Sequence, residues 1–398
     1  MKALVLSGGG SKGSYQIGVW KALRELNIKI DIVTGTSAGA LNAALITQNS
    51  YRTAVKTWKK INLDILFGED TIEPDKTVDL YKLYGENFIK NGGMDTSKIE
   101  NIINESLNKR KFYKSKINFG LVTYNLSNKK PIQLTKKEIK KELLDDYLMA
   151  SATCFPAFKK KEINGEKYID GGYFDNLPIN LAIKMGAEEI IAVDLNAPGI
   201  KQIPTKKVKT ITIKPKNKLT NFLNFHEEGS KRNIKLGYND TMKAFHKLEG
   251  NKYTFKKGHI EKNNLMYQET YLHILNKILR FKNATKEFYS QLKISDVTKE
   301  NIQEKLLLRV MELVAKDFNL DETTIYTYRS FNRKLKKKLK LRIKKLETEN
   351  QTNHKHKKTE VELYLEMING NYSELRKLGL LNPIELLKAV YLYTICED

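Results

Sequence analysis

Residues 3–13, ALVLSGGGSKG, pass from four apolar side chains into a glycine-rich loop. Residues 28–39, IKIDIVTGTSAG, repeat this arrangement with a second apolar run and a second cluster of small residues. Each cluster lies where a buried strand should lead into a helix. A turn of this kind exposes backbone N–H groups at the positive end of the helix, where an anion can bind. The two units together predict an α/β fold.

The second cluster, Gly35-Thr36-Ser37-Ala38-Gly39, has the G-x-S-x-G pattern of a nucleophile elbow. In such an elbow the glycines allow a strained turn that exposes the serine hydroxyl. The first cluster offers backbone N–H groups to an oxyanion, whereas the second offers a nucleophile. The pair therefore predicts acyl transfer.

The predicted base for Ser37 is an aspartate rather than a histidine. The order Ser…Asp/Glu…His of the α/β-hydrolases is allowed, since all six histidines lie beyond residue 225. However, only one strand and one helix precede the strand that leads into Ser37, and no histidine stands at a strand end beside glycines. Asp170 does, because it ends a short apolar run and is followed by Gly171 and Gly172. A Ser–Asp dyad needs partial desolvation, which raises the basicity of the carboxylate.

Several ordered blocks give the chain a resemblance to the patatin-like phospholipases, which are lipid acyl hydrolases of bacteria and plants. The match extends over residues 1–247, and the remainder of the chain carries none of it. The blocks are the loop at 8–13, the elbow at 35–39, ASATCFPAF at 150–158, DGG at 170–172, NLP at 176–178, and NF…LGY between 224 and 238. The resemblance implies a three-layer α/β/α domain with a central, mostly parallel sheet.

The resemblance also implies the residues of the site. Ser37 is expected to be the nucleophile and Asp170 the base, and the oxyanion hole is expected from the amides of Gly8, Gly9 and Gly10. Six further residues are expected to support these groups: Lys12, Gly13, Gly35, Gly39, Gly171 and Gly172. Neither a metal nor another cofactor is implied. The implied substrate is a phospholipid or another acyl lipid, cleaved through an acyl-enzyme.

The glycine-rich loop also fits another class of site. Gly8, Gly10 and Gly13 satisfy the G-x-G-x-x-G pattern of dinucleotide-binding proteins. That pattern expects an acidic residue roughly twenty positions further on, at the end of the second strand. Asp31 has this distance, but it is predicted inside the strand, which ends in the elbow instead. The order of loop, elbow and aspartate therefore favours acyl transfer.

Strand-like and helix-like segments alternate through the first half of the chain. Helices are predicted at residues 14–26 and 38–48, and residues 50–115 are predicted to form helices and loops that cap the site. An Asn-Gly hairpin at residues 163–170 should deliver Asp170, and Pro178 should begin a helix. Further strands are predicted at residues 117–122, 131–134, 189–195 and 208–213.

Length and composition predict one large domain and a smaller one. The chain has 398 residues, of which 40% are hydrophobic, and no stretch approaches the ~20 apolar residues that span a bilayer. The first predicted strand begins at residue 3, which leaves no room for a signal peptide. Cys154 and Cys396 are too few for a disulfide framework. We therefore expect a cytoplasmic protein, with Cys154 as a small core residue.

The net charge of +24 is the second informative feature of the chain. Such a charge attracts polyanions, either nucleic acid or the anionic surface of a membrane. The lysines are spread over both halves, and neither zinc-finger spacing nor an aromatic RNA-binding signature is present. We therefore expect an anionic membrane surface and no specific nucleic acid as the partner. A nucleic-acid-associated protein is kept as an alternative.

Residues 248–398 are predicted to form a basic, mainly helical domain without strands. One helix face carries five apolar residues among lysines and arginines: Phe331, Leu335, Leu339, Ile343 and Leu346. This face either lies on an anionic membrane or packs on the domain, and packing is favoured. An exposed loop is predicted at residues 347–359, with His354 and His356 solvated rather than bound to a metal. Pro383 is predicted near the start of a terminal helix.

The sequence thus predicts a lipid acyl hydrolase of the phospholipase A type, peripherally associated with membranes. Among enzymes, the alternative is a thioesterase or transacylase with the same dyad. Outside enzymes, the alternative is a catalytically quiet protein that binds membranes through its basic C-terminal half.

Overall fold

The chain divides into two compact units, Met1–Phe245 and His246–Asp398. The sequence predicts this boundary after residue 247. The computed structural model describes residues 1–62, 65, 85–86, 89–279, 302–349, 359–371, 375–377 and 382–397. Among these residues no helix is both long and apolar enough to cross a membrane. Nor do the described residues gather three metal-binding side chains in one place.

An eight-stranded sheet forms the centre of the first unit. Its strands are β1 (Lys2–Leu6), β2 (Ile32–Thr36), β3 (Asn118–Asn125), β4 (Lys130–Thr135), β5 (Lys161–Ile163), β6 (Glu166–Asp170), β7 (Glu189–Val193) and β8 (Lys209–Ile213). They follow the order β5-β6-β3-β2-β1-β7-β8, and β4 also pairs with β3. The run from β3 to β8 is parallel, whereas β4, β5 and β6 pair antiparallel. The predicted mostly parallel central sheet is confirmed.

Helices cover both faces of this sheet. They are α1 (Ser14–Glu25), α2 (Ala38–Thr47), α3 (Tyr51–Lys60), α4 (Ser97–Ser106), α5 (Lys109–Lys114), α6 (Leu144–Ala152), α7 (Ile179–Lys184) and α8 (Glu227–Ala244). Leu4 and Leu6 of β1 belong to a large core that includes α1 and α2. Ala3 and Val5 belong to a smaller core that includes α7. Because side chains alternate along a strand, these two cores lie on opposite faces and give three layers.

β1 and β2 place the two glycine-containing turns next to each other. β1 is parallel to β2 on one side and to β7 on the other. Its last residue, Leu6, lies opposite Gly35 near the end of β2. Since the carboxyl ends of parallel strands meet at one edge of a sheet, the turns that follow them are neighbours.

Most predicted elements of this unit are confirmed to within a few residues at each end. The hairpin is β5–β6, and its turn residues Asn164 and Gly165 have φ angles of 51° and 79°. Positive φ at both positions is what a two-residue hairpin turn requires. Pro178 precedes α7 rather than beginning it. Asp31 precedes β2 instead of lying inside it, and its carboxylate accepts a hydrogen bond from the Lys2 N–H.

The second unit is mainly helical, as predicted, but it also contains a small sheet for which the sequence shows no strand signal. The sheet consists of β9 (Leu248–Glu249), β10 (Thr254–Lys256) and β11 (Ile325–Tyr326), in the order β11-β10-β9. Strands of two or three residues are too short to show an alternating pattern. The described helices here are α9 (His259–Leu279), α10 (Ile302–Asp317), α11 (Tyr328–Glu349), α12 (Glu360–Ile368) and α13 (Pro383–Cys396). The terminal helix begins at Pro383.

Helix α11 carries the predicted apolar face. All five of its residues belong to or pack against the core of the second unit: Phe331, Leu335, Leu339, Ile343 and Leu346. The face is therefore used for packing, as the favoured interpretation expects, and is not available to a membrane. Because α11 continues to Glu349, the loop predicted at residues 347–359 was wrong at its start. Residues 350–358, with His354 and His356, lie outside the described residues.

Candidate active site

Ser37 lies in the sharp turn between β2 and α2. Its backbone has φ 56° and ψ −131°, a conformation that is strained for a residue with a side chain. Gly35 and Gly39 flank it. A Cβ atom at either glycine would lie less than 3.0 Å from a backbone oxygen, so only glycine fits. The predicted G-x-S-x-G turn is therefore tight, with Ser37 at its apex.

Ser151 holds this turn against the sheet. The Ser37 N–H donates a hydrogen bond of 2.9 Å to the Ser151 hydroxyl, which in turn donates one of 2.6 Å to the Val122 carbonyl. Ser151 is buried near the end of α6. It lies in the block at 150–158 that carries the resemblance, but no sequence pattern indicates its contact with Ser37.

β2 and β6 pair one after the other along β3. Thr36, the last residue of β2, lies opposite Val122, and Asp170, the last residue of β6, lies opposite Thr123. β2 is parallel to β3 and β6 is antiparallel, so the two strands run towards each other and end at adjacent positions. Ser37 follows Thr36 directly, and its hydroxyl lies within hydrogen-bonding reach of the Asp170 carboxylate. The structure thus brings together the predicted nucleophile and the predicted base.

The Asp170 carboxylate is buried and polarised. Asp170 is only 6% exposed, and Ser37 is 7% exposed. Burial raises the pKa of Asp170 to about 6, against the opposing effect of hydrogen bonds from Ser37 and from the Gly172 N–H, the latter at 2.7 Å. A carboxylate with a raised pKa is a stronger base than one in water, and it is still mostly ionised at pH 7.

The three glycines predicted for the oxyanion hole differ in what their amides contact. The Gly8 N–H donates to the Asn176 carbonyl at 3.0 Å, so this amide already has an acceptor. For the N–H groups of Gly9 and Gly10, the described part of the chain offers no acceptor. Both line the same cavity as Ser37. Gly9 and Gly10 are therefore the predicted amides available to an oxyanion.

The other supporting residues serve the packing of the loops. Lys12 Nζ donates to the Asn196 carbonyl at 3.4 Å, and Lys12 is not among the residues of the cavity wall. This contact fits a lysine that fixes the loop, and partial burial lowers its pKa. A Cβ at Gly13 or Gly171 would lie less than 3.0 Å from neighbouring atoms, whereas one at Gly172 would lie 3.1 Å from the nearest.

Ser37 and Asp170 line a cavity of about 480 Å³. Its wall is mostly apolar and is formed by residues of the first unit. Leu41 and Leu45 lie four and eight residues after Ser37 in the sequence. This spacing puts both on the same face of α2, and both contribute to the wall. Other apolar residues of the wall are Trp58, Ile61, Ile99, Ile103, Met149, Phe158, Leu223 and Phe225.

Part of the wall comes from the region predicted to cap the site. α3 contributes Trp58, and α4 contributes Ile99 and Ile103. Cys154 also lines the cavity, and burial raises the pKa of its thiol to about 12, as expected for an unreactive packing residue. Asn176 also lines the cavity, a position that its sequence block at 176–178 does not predict.

Similarity to solved structures extends over nearly the whole chain but is low. VipD from Legionella pneumophila has 15% sequence identity and a TM-score of 0.36, with 99% of this chain and 90% of that chain covered. The type III effector protein ExoU has 12% identity and a TM-score of 0.33, with 98% and 76% covered.

Similarity to curated proteins covers about half of the chain. Lysophospholipase nte1 of Aspergillus terreus is 31% identical over 199 residues, and patatin-like phospholipase domain-containing protein 6 of Homo sapiens is 30% identical over 200 residues. Each match covers 49% of this chain but only 12% and 13% of the respective relative, so it corresponds to a small part of these proteins. Residues 4–183 match the family model for patatin-like phospholipase. The chain therefore contains a patatin-like phospholipase domain across residues 4–183.

Proposed function

We propose that this chain is a lipid acyl hydrolase of the phospholipase A type, with Ser37 as nucleophile and Asp170 as base. The observation that carries the proposal is that the Ser37 hydroxyl lies within hydrogen-bonding reach of the buried Asp170 carboxylate, on the wall of an apolar cavity. A polar pair on an otherwise apolar wall suits a substrate with an ester group next to a hydrocarbon chain. The relatives' names, lysophospholipase and patatin-like phospholipase, denote the same class of reaction.

In the first half of the reaction, Ser37 Oγ attacks the ester carbonyl while Asp170 takes the hydroxyl proton. The negative charge that develops on the carbonyl oxygen is stabilised by the Gly9 and Gly10 amides, and losing one such donor typically costs about a hundredfold in rate or more. The ester C–O bond then breaks, and Asp170 returns the proton to the departing alcohol. The acyl group is left on Ser37 as an ester.

In the second half, a water molecule attacks this ester. Asp170 takes a proton from the water, and the proton passes to Ser37 Oγ as the fatty acid leaves. A single carboxylate serves both halves because it is regenerated as a base after each proton transfer. Its pKa of about 6 keeps it ionised at neutral pH and more basic than an exposed aspartate.

The test is the release of fatty acid from phospholipid vesicles by the purified protein, followed by mass spectrometry. Ser37→Ala and Asp170→Asn should each lower the rate by about a thousandfold. Asp175→Asn is the matched control, because Asp175 is another buried carboxyl whose pKa is raised to about 6, yet it does not line the cavity. This control should keep its activity. Full activity in Ser37→Ala, or an equal loss in the two aspartate variants, would overturn the proposal.

A further inference from the structure

The mouth of the cavity is apolar and exposed. Of the residues that line the cavity, the exposed ones are Tyr173, Pro198, Gly199 and Ile200. Three of these belong to the loop at residues 196–207, between β7 and β8. The same loop carries Ile203, whose side chain is among the most exposed apolar groups of the described residues. Ile200 is 54% exposed and Ile203 is 87% exposed. An apolar edge at the opening of an apolar cavity is a feature of binding surfaces.

This loop is held in place by hydrogen bonds to the segment that follows Asp170. The Ile200 N–H donates to the Gly172 carbonyl at 2.9 Å, and the Ile200 carbonyl accepts from the Asn176 N–H at 2.6 Å. The Asn180 side-chain amide donates to the Ile203 carbonyl at 2.9 Å. The two isoleucines are therefore presented to solvent by a fixed backbone, close in the chain to the base.

Cations lie on the same loop as the apolar residues of the mouth. Lys206 and Lys207 are exposed there, whereas the exposed Lys201 is ion-paired with the buried Asp194 at 2.8 Å. The Tyr173 hydroxyl donates to the Phe155 carbonyl, and Lys160 lies 4.7 Å from the centroid of the Phe155 ring. Lysines beside exposed apolar side chains are the combination that binds anionic bilayers, because the apolar groups enter the interface while the ammonium groups contact lipid phosphates.

We propose that the cavity mouth docks on an anionic phospholipid bilayer, with Ile200, Ile203 and Tyr173 inserted and with Lys206 and Lys207 on the lipid phosphates. This inference rests on the proposed function, since it places the substrate's own membrane against the site. A lipid can then pass its acyl chain into the cavity without exposing it to water, which removes a large hydrophobic cost from substrate entry. The surface defined by these residues is called the mouth surface below.

Vesicle binding tests the proposal independently of catalysis. The Ser37→Ala protein, which leaves the lipid intact, is sedimented with phosphatidylcholine vesicles that contain phosphatidylglycerol. Adding Ile203→Asp should weaken binding roughly ten- to a hundredfold, as expected when an isoleucine that would insert into the bilayer is replaced by a charged residue. The matched control is Ile368→Asp in the second unit, because Ile368 is 54% exposed and lies outside the mouth surface. It should bind as the parent does.

Each remaining outcome is decisive. Equal binding by the Ile203→Asp and Ile368→Asp proteins, or no binding by the parent, would overturn the docking proposal. Lys206→Ala with Lys207→Ala should reduce the salt dependence of binding, and an unchanged dependence would count against the lysines. In the protein with Ser37 intact, Ile203→Asp should slow hydrolysis of vesicle lipid about tenfold but leave hydrolysis of a water-soluble short-chain ester unchanged. If the intact protein hydrolyses neither, the proposed function fails while the binding result still stands.

Discussion

The Ser37 hydroxyl lies beside the Asp170 carboxylate because β2 and β6 end at adjacent positions along β3. β2 pairs parallel with β3, whereas β6 pairs antiparallel with it. The residues of β3 opposite their ends, Val122 and Thr123, are adjacent in sequence. A sheet that joins parallel and antiparallel strands in this way can assemble a two-residue site without a third element. The Ser151 hydroxyl forms hydrogen bonds with both Ser37 and Val122 and thereby holds the Ser37 turn against β3.

The raised pKa of Asp170 predicts how activity depends on pH. Burial raises this pKa to about 6, and only the ionised carboxylate can accept the Ser37 proton. The ratio kcat/KM for a soluble ester should therefore rise about tenfold per pH unit below the pKa and become constant above it. A pH–rate profile of the wild type beside Asp175→Asn checks this. An inflection at the ordinary aspartate pKa, or one that moves in Asp175→Asn, would contradict the assignment.

The same pKa shift predicts an effect on stability. The pKa of Asp170 is about 6 in the folded protein against an ordinary value of 3.8, so between these values the folded state binds more protons than the unfolded state. The free energy of unfolding therefore falls as the pH rises through this range. Asp170→Asn removes the penalty and should stabilise the protein by up to about 3 kcal/mol above pH 7, and by much less near pH 4. Urea unfolding at both pH values measures it, and an equal effect at the two would contradict the raised pKa.

Ser151 is predicted to position the nucleophile. Ser151→Ala leaves the Ser37 N–H and the Val122 carbonyl without their partner and should cost about 1–3 kcal/mol of stability. Since Ser151 does not line the cavity, kcat for a short-chain ester should fall while KM changes little. Thr47→Val is the control, because the Thr47 hydroxyl is also buried but bonds to the Ala43 carbonyl within α2. Equal kcat values in the two variants would show that Ser151 only stabilises the fold.

The face of α2 is predicted to set the acyl chain length. Leu45 is two helical turns beyond Ser37, about 12 Å along the helix axis, and lines the same cavity. Leu45→Trp should therefore lower hydrolysis of long-chain esters about tenfold relative to short-chain ones. Leu45→Met, which conserves volume, should keep the ratio of the wild type. A uniform loss over all chain lengths in Leu45→Trp would place the acyl chain elsewhere.

The sequence predicted which two side chains the structure brings together better than it predicted the geometry that joins them. Ser37 could be singled out because it follows a strand between Gly35 and Gly39, and Asp170 because it ends a strand before two glycines. The sequence did not predict that Ser37 and Asp170 lie close together. The strand predicted at residues 117–122 stops before Thr123–Asn125, which is the part of β3 that pairs with β6. Likewise, a glycine run does not reveal which amide has a partner, and the Gly8 amide contacts Asn176, a residue distant in sequence.

Patterns of period two or 3.6 also require enough residues to be recognised. The helical period predicted the apolar face of α11 correctly, because five apolar residues follow this period over four turns. These patterns missed β9, β10 and β11, which have only two or three residues each. The contacts of Ser151 depend on the position of α6 against β3, which no local pattern encodes.

Labelling with a fluorophosphonate tests the central claim most directly, because the reagent reacts with an activated serine and needs no knowledge of the substrate. The purified wild type, Ser37→Ala and Asp170→Asn are treated in parallel, and the labelled peptide is identified by mass spectrometry. The account predicts a label on Ser37 in the wild type, none in Ser37→Ala, and strongly reduced labelling in Asp170→Asn. A label on another serine, or labelling of Ser37 that is unaffected by Asp170→Asn, would contradict a Ser37–Asp170 dyad.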